Sequence, residues 1–251
     1  MAIYIDATDQ PNHDHSPEPA PDGWTPFDLG DALLAYWDAE DLASLTLSGA
    51  SVTAWADRKN GHTPTQSAPG SKPIYAPIGF NGRPGIVFDG VDDYLQMLGT
   101  IPFPQGTVPC EIWTLADFTA GNPVTSSIIG WGDGVAANAN RAIRRLGTGF
   151  SNALFGNGVS NSVITNISVI IDGKHMLRAR FEPTKGMLFV DDGLPTATTA
   201  TLNSAPANNF FIGLSNIGNN NYLRGTASAM LITSLLSATQ AAELNGYLKS
   251  R

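Results

Sequence analysis

One cysteine, Cys110, stands in 251 residues. That excludes an intramolecular disulfide framework and any zinc site built on several cysteines. A lone thiol with no activating histidine beside it reads as a small buried hydrophobe. No apolar run is long enough to span a bilayer as a helix. Met1–Asp6 has no basic segment and no long apolar run, so a secretory leader is not expected. No 20–50-residue repeat is visible. Charged residues make up only 14% of the chain, and glutamate occurs five times, at Glu18, Glu40, Glu111, Glu182 and Glu243. Lysine and arginine are missing from the first 57 positions, which therefore carry a net −11, against +3 for residues 58–251. So acidic a segment repels phosphate, and nucleic acid is not expected as its partner.

Glycine (26) and proline (17) are abundant. With Ser, Thr and Asn between them, they suit many short strands joined by turns. Residues 1–26 read as an extended acidic arm broken by Pro11, Pro17, Pro19, Pro21 and Pro26. Its one apolar stretch, Ala2, Ile3, Tyr4 and Ile5, alternates like a strand and is expected to dock on a partner's sheet edge. Residues 27–251 read as the folded domain.

Strand patterns occur at Leu33–Trp37, Val52–Trp55, Gly85–Gly90, Glu111–Ala116, Ser127–Trp131, Ser162–Ile171, His175–Phe181, Met187–Val190, Phe210–Gly213 and Thr226–Ile232. Arg141–Leu146 and Ala153–Phe155 are weaker. Asp92–Met97 is expected as the hairpin partner of Gly85–Gly90. Asp191-Asp192-Gly193 reads as a turn needing positive φ. One helix closes the chain, with Ser237 as its N-cap, Gln240 three residues on, and Leu244, Tyr247 and Leu248 on one face. Many short strands and one terminal helix predict two packed sheets.

Three blocks add a resemblance. Trp55-Ala56-Asp57-Arg58-Lys59-Asn60-Gly61 resembles the W-x-D-x-S-G-N-G block of laminin-G-like domains, with Lys59 where Ser-Gly is usual. Phe88-Asp89-Gly90-Val91-Asp92-Asp93-Tyr94-Leu95 resembles their F-D-G-x-x-D-Y hairpin. Phe211-Ile212-Gly213, Tyr222-Leu223-Arg224-Gly225, Leu236-Ser237 and Glu243-Leu244 resemble their C-terminal ending. The blocks span about residues 35–248. The resemblance implies an all-β fold: a two-sheet antiparallel jelly-roll sandwich of the concanavalin A-like kind, with a short C-terminal helix and an extended N-terminal arm. The "LLAYWDAEDLASL…VTAWADR" opening looks like those of tailed-phage structural proteins, such as fibres and decoration proteins. That likeness implies a place in a virion, other virion proteins as partners of the arm, self-association, and a host surface glycan as ligand. A purely structural capsid or tail component with no ligand is the alternative, and a polysaccharide-degrading glycoside hydrolase a more remote one. Neither membrane insertion nor a cofactor is expected, calcium aside.

Glucanases share this fold and need two carboxylates on one face. Their usual E-x-D-x-E run is absent here. Asp38 and Glu40 are the nearest match, in the opening turn region, and no G-x-S-x-G elbow is present. No catalytic residue is assigned, and the chain is expected not to be an enzyme.

Sugar sites pair a flat apolar face with amides or carboxylates. Trp131, Asp133, Asn138, Asn140 and Arg141 offer that mix in one segment, and Asn219, Asn221 and Tyr222 in another. Turn residues beside a core tryptophan explain the same pattern. Asp89, Asp92 and Asp93 are either a calcium site or caps on a hairpin turn. His13 and His15 are either a weak metal pair or part of a solvated arm. Arg141, Arg144 and Arg145 either meet an acidic partner or decorate a solvated sheet edge.

Overall fold

The computed structural model describes residues 20–118, 126–132, 140–146, 150–156, 161–170, 173–191, 193–199, 209–214 and 222–251. The docking segment Ala2, Ile3, Tyr4 and Ile5 lies outside the described residues, as do His13 and His15.

The strands are β1 (Leu33–Asp38), β2 (Leu45–Ser48), β3 (Ser51–Trp55), β4 (Ile74–Phe80), β5 (Arg83–Asp89), β6 (Leu95–Leu98), β7 (Cys110–Phe118) and β8 (Ser126–Gly132). After them come β9 (Asn140–Leu146), β10 (Phe150–Gly156), β11 (Asn161–Ile170), β12 (Gly173–Glu182), β13 (Lys185–Val190), β14 (Thr196–Thr199), β15 (Asn209–Ile212) and β16 (Arg224–Thr233). The helix α1 is Ala238–Lys249. One sheet runs β14-β13-β12-β7-β16-β5-β4-β3-β2, with β1 paired to the second half of β16; the other runs β11-β10-β9-β8-β15-β6. The chain is thus the two-sheet antiparallel β-sandwich expected, with one short C-terminal helix.

The period-2 pattern of β7 shows why the layers form. Cys110, Ile112, Ala116 and Phe118 enter the core between the sheets, with Trp37, Ile129, Trp131 and Phe210. Trp113 and Leu115 point the other way, into a second core closed by Leu244 and Leu248 of α1. A strand covered on both faces reads as a continuous apolar run. Burial raises the Cys110 thiol to about 12, so it is inert filling.

Helix α1 starts where the capping box placed it. Ser237 Oγ accepts from the Gln240 amide at 3.2 Å and Gln240 Oε1 accepts from the Ser237 amide at 3.1 Å. At the other end Arg251 holds Asp38 Oδ1 at 2.7 Å and Glu40 Oε1 at 2.8 Å, tying the chain's end to β1. Asp57 of the first resemblance block is buried and accepts from the amides of Lys59, Asn60 and His62, which fixes that turn.

Three expectations change. Asp92–Met97 is not the hairpin partner of β5, because β5 pairs with β4 and β16 while β6 crosses to the other sheet and pairs with β15. Asp89 Oδ1 accepts from the Val91 and Asp92 amides, and Asp93 Oδ2 from the Asp89 amide, so the segment is a corner between sheets. Strand β4 is unforeseen, since Pro77 and Gly79 punctuate it; the register with β5 shifts between Ala76 and Phe80 and absorbs both. The folded body also begins before residue 27, for Pro26 is buried and the Trp24 ring lies 5.9 Å from that of Tyr247.

Candidate functional site

Every second residue of β12 faces away from the inter-sheet core. Leu177, Ala179 and Phe181 fill that core, leaving Met176, Arg178, Arg180 and Glu182 on the outer face. The same alternation puts Met187 and Phe189 of β13 outward, with Leu188 and Val190 inward. Register then builds two cross-strand rows. Trp113, Arg178 and Phe189 stand side by side on β7, β12 and β13; Glu111, Arg180 and Met187 form the next row. With the first half of α1 and the Gly193–Pro195 segment, these rows enclose a groove of about 800 Å³. That lies within the size range of small-ligand sites.

The wholly buried Glu111 organises the groove. Its carboxylate accepts from Arg178 Nη2 at 2.9 Å, Arg178 Nε at 3.1 Å, Arg180 Nη1 at 3.1 Å and Trp113 Nε1 at 3.0 Å. Arg178 makes cation–π contacts with two rings, its Cζ 4.4 Å from the Trp113 centroid and 4.7 Å from that of Phe189. Arg180 Nε also reaches Glu182 Oε1 at 2.9 Å. On the helix wall, the buried Asn245 Oδ1 has no hydrogen-bond partner. At the groove end Asp191, at φ 46°, accepts from the Met176 amide and pairs with His175 Nδ1. Burial alone would raise the Asp191 pKa, but the His175 and Met176 bonds outweigh it and pull it down. The groove therefore offers fixed donors, carboxylate and amide acceptors, and apolar walls at Met176, Met187, Leu194 and Ala241. Sequence reasoning saw the alternation of β12 but not this site. The signal was present as Arg178, Arg180 and Glu182 at every second position opposite Glu111 and Trp113.

The residues singled out in the sequence are dispersed. Asp133, Asn138, Asn219 and Asn221 lie outside the described residues. Trp131 is no exposed stacking face: it lies in β8 in the inter-sheet core, with Nε1 donating to the Pro104 carbonyl at 2.9 Å. Arg141 also turns inward, where its guanidinium donates to the carbonyls of Pro104, Gly106 and Val108. Asn140, opposite Gly132, is buried too. Tyr222 is half-buried, 6.1 Å from the Tyr94 ring, and Tyr94 is 6.2 Å from Phe211. Arg141, Arg144 and Arg145 are all buried, so they decorate no solvated edge.

Asp89, Asp92 and Asp93 bring one carboxylate oxygen each within 4.8 Å of the others. Asp89 and Asp93 cap the turn, and Asp92 Oδ2 accepts from Ser71 Oγ at 2.9 Å. Burial, opposed by the Asp89 amide and helped by the Asp89 and Asp92 charges, raises Asp93 to about 6. Asp38 and Glu40, the nearest match to a glucanase pair, are bound by Arg58, Arg83 and Arg251.

No protein-family model matches this sequence, and no curated protein does. Solved structures do. The chain is similar to a Trypanosoma rangeli sialidase in complex with sialic acid, at 14% identity and a TM-score of 0.62, over 87% of this chain and 33% of that one. It is also similar to a GH54 α-L-arabinofuranosidase, at 15% identity and a TM-score of 0.53, over 78% of this chain and 50% of that one. A carbohydrate-binding CBM40 module of a Ruminococcus gnavus sialidase superposes at a TM-score of 0.45 and 14% identity, over 61% of this chain and 98% of that one. The chain thus spans a third to a half of the two enzymes. At these identities the likeness shows the fold alone, a two-sheet β-sandwich. It also corrects the expectation that the chain is not an enzyme. That rested on a missing E-x-D-x-E run, and this sandwich occurs in a sialidase and an arabinofuranosidase, so the missing run does not decide the matter.

Proposed function

We propose that this protein is a glycan-binding β-sandwich of a virion structural protein, and that the groove between α1 and β12–β13 takes a host surface glycan. The observation that supports this most is the groove's chemistry. Arg178 is clamped by Trp113, Phe189 and Glu111 beside the unpartnered Asn245 Oδ1, within about 800 Å³. Sugar hydroxyls need donors and acceptors held in place, and sugar ring faces need apolar walls. Arg180 and Glu182 supply further polar groups, and Met187 and Leu194 further apolar ones. The similar fold of a sialidase bound to sialic acid agrees with carbohydrate as the ligand class.

The virion setting rests on the resemblance of the N-terminal opening to tailed-phage fibre and decoration proteins. In this reading Ala2–Ile5 grips another virion protein and the sandwich faces outward. Many weak sites on one particle would then act together. Calcium at Asp89, Asp92 and Asp93 would lie at the corner between the sheets, away from the groove.

A glycan array probed with the intact protein tests the reading. Retention of a glycan, reduced about tenfold by Asn245→Ala, supports it. Asn245 Oδ1 gives up no hydrogen bond when removed, so this variant folds. An array without a hit contradicts it. Incubation with the retained polysaccharide, monitored for new reducing ends, shows whether the glycan is also cut.

A further inference from the structure

The groove beneath α1 opens to solvent. Gly193, Leu194 and Pro195 are exposed on one side of its mouth, Leu194 at 92%, and Ser237, Ala238 and Ala242 on the other. A ligand can therefore enter, and the charges inside show which kind. Arg178 and Arg180 are the cations of the lining, Glu182 and Asp191 its acids, and the buried Glu111 sits beneath them. Both cations are already matched. Arg178 donates through Nε and Nη2 to Glu111; Arg180 donates through Nη1 to Glu111 and through Nε to Glu182. Glu111 is wholly buried and also accepts from Trp113 Nε1, so it does not yield its place to another acid. Asp191 is bound by the Met176 amide and by His175. Lys185 and Lys249 are exposed and outside the lining, each beside an acid: Lys185 stands opposite Glu182, and Lys249 acts on Asp191.

Hydrogen-bonding capacity points the same way. The unpartnered atom of the groove, Asn245 Oδ1, is an acceptor, so it calls for an O–H or N–H from the ligand. Arg178 Nη1 and Arg180 Nη2 remain to donate, since the bonds above engage the other guanidinium nitrogens. A sugar hydroxyl both accepts and donates, so it serves the arginines and Asn245 alike. An ionised carboxylate only accepts. It would leave Asn245 Oδ1 unpaired and would bring a further negative charge beside Glu182 and Asp191.

We propose that the groove selects uncharged sugars and rejects sugar acids, an inference that rests on the reading of this groove as a glycan site. Two guanidinium charges face the three carboxylates of Glu111, Glu182 and Asp191, so no cation is left over to neutralise an incoming acid. The arginines act here as fixed hydrogen-bond donors, and their charge is met within the protein. Discrimination comes from the repelling acids at the wall, as in other sites that exclude a wrong partner by like charge.

The test is an array carrying neutral oligosaccharides, the same backbones with one C6 hydroxyl oxidised to a carboxylate, and sialylated oligosaccharides. It is probed with the full chain and with the Asn245→Ala and Glu182→Gln variants, at low and high salt. Expected is retention of neutral glycans that Asn245→Ala reduces and salt leaves unchanged, because no ion pair forms with the ligand. The oxidised counterpart of a retained glycan is expected to bind about tenfold more weakly. Glu182→Gln removes one repelling charge at a partly exposed position and narrows that gap about threefold. Acidic glycans retained as well as neutral ones, in a manner that Asn245→Ala reduces, overturn the charge selection and leave the groove a glycan site. A gap unmoved by Glu182→Gln also overturns it. No retention, or retention that Asn245→Ala leaves intact, overturns the groove reading itself and this inference with it.

Discussion

Glu111 and Arg180 stand opposite each other on β7 and β12, and the buried Glu111 carboxylate draws Arg180 Nη1 to 3.1 Å while also holding Arg178. One acid thus sets both cations of the groove. Glu111→Ala leaves Arg178 without its carboxylate and Arg180 with Glu182 alone, and is expected to cost about 3–5 kcal/mol of stability. Denaturant unfolding checks this, and a loss under about 1 kcal/mol would contradict the assigned role.

Arg251 ties the helix end to Asp38, with Arg58 and the Tyr36 hydroxyl on the same carboxylate. Burial would raise the Asp38 pKa, but the Arg251 pairing outweighs it and the pKa is lowered. A carboxylate depressed in the folded state adds stability above its unfolded value, and that stability is lost as pH falls through the folded one. Acid unfolding below about pH 4 is therefore expected to become shallower in Asp38→Asn, measured by melting point against pH. Arg251→Met should lower stability by about 2–4 kcal/mol at neutral pH.

Asp93 has the opposite sign. Its folded pKa is raised from 3.8 to about 6, so between these values the native state holds a proton that the unfolded chain does not. Its contribution is full below pH 3.8 and is lost as pH rises past about 6. Asp93→Asn removes this pH dependence and should stabilise the protein at pH 7, by about 3 kcal/mol at most. Melting points of parent and variant at pH 4, 5, 6 and 7 check it; parallel curves would show that Asp93 is not raised.

Trp131→Phe separates core from ligand contact. The ring is buried and its Nε1 bond to Pro104 is lost, so a cost of about 1–3 kcal/mol is expected, with glycan retention by the folded variant unchanged. Lost retention at unchanged stability would restore Trp131 as a ligand residue.

Local chemistry in the sequence carried the strands and the helix cap. β12 shows its alternation, β7 and β16 read as apolar runs, and Ser237 with Gln240 marks the start of α1 unaided. What the sequence hid is long-range. Nothing local tells that Asp93 begins a crossing to the other sheet, or that β4 absorbs Pro77 at a register shift. Arg141, Arg144 and Arg145 looked like a solvated edge because charge correlates with exposure. Their burial depends on neighbours distant in the chain, such as the carbonyls at 104–108 that receive Arg141. The groove escaped for the same reason, since its rows are made by register among three strands and capped by a helix from the end of the chain. Trp131 misled because the adjoining Gly132 made a strand end look like a loop.

Backbone amide shift mapping of the labelled protein with a glycan retained on the array tests the groove most directly. Perturbed amides should cluster at residues 176–191 and 236–245, and fade in Asn245→Ala. Shifts confined to other parts of the sandwich, or persisting undiminished in that variant, would contradict a sugar site beneath α1.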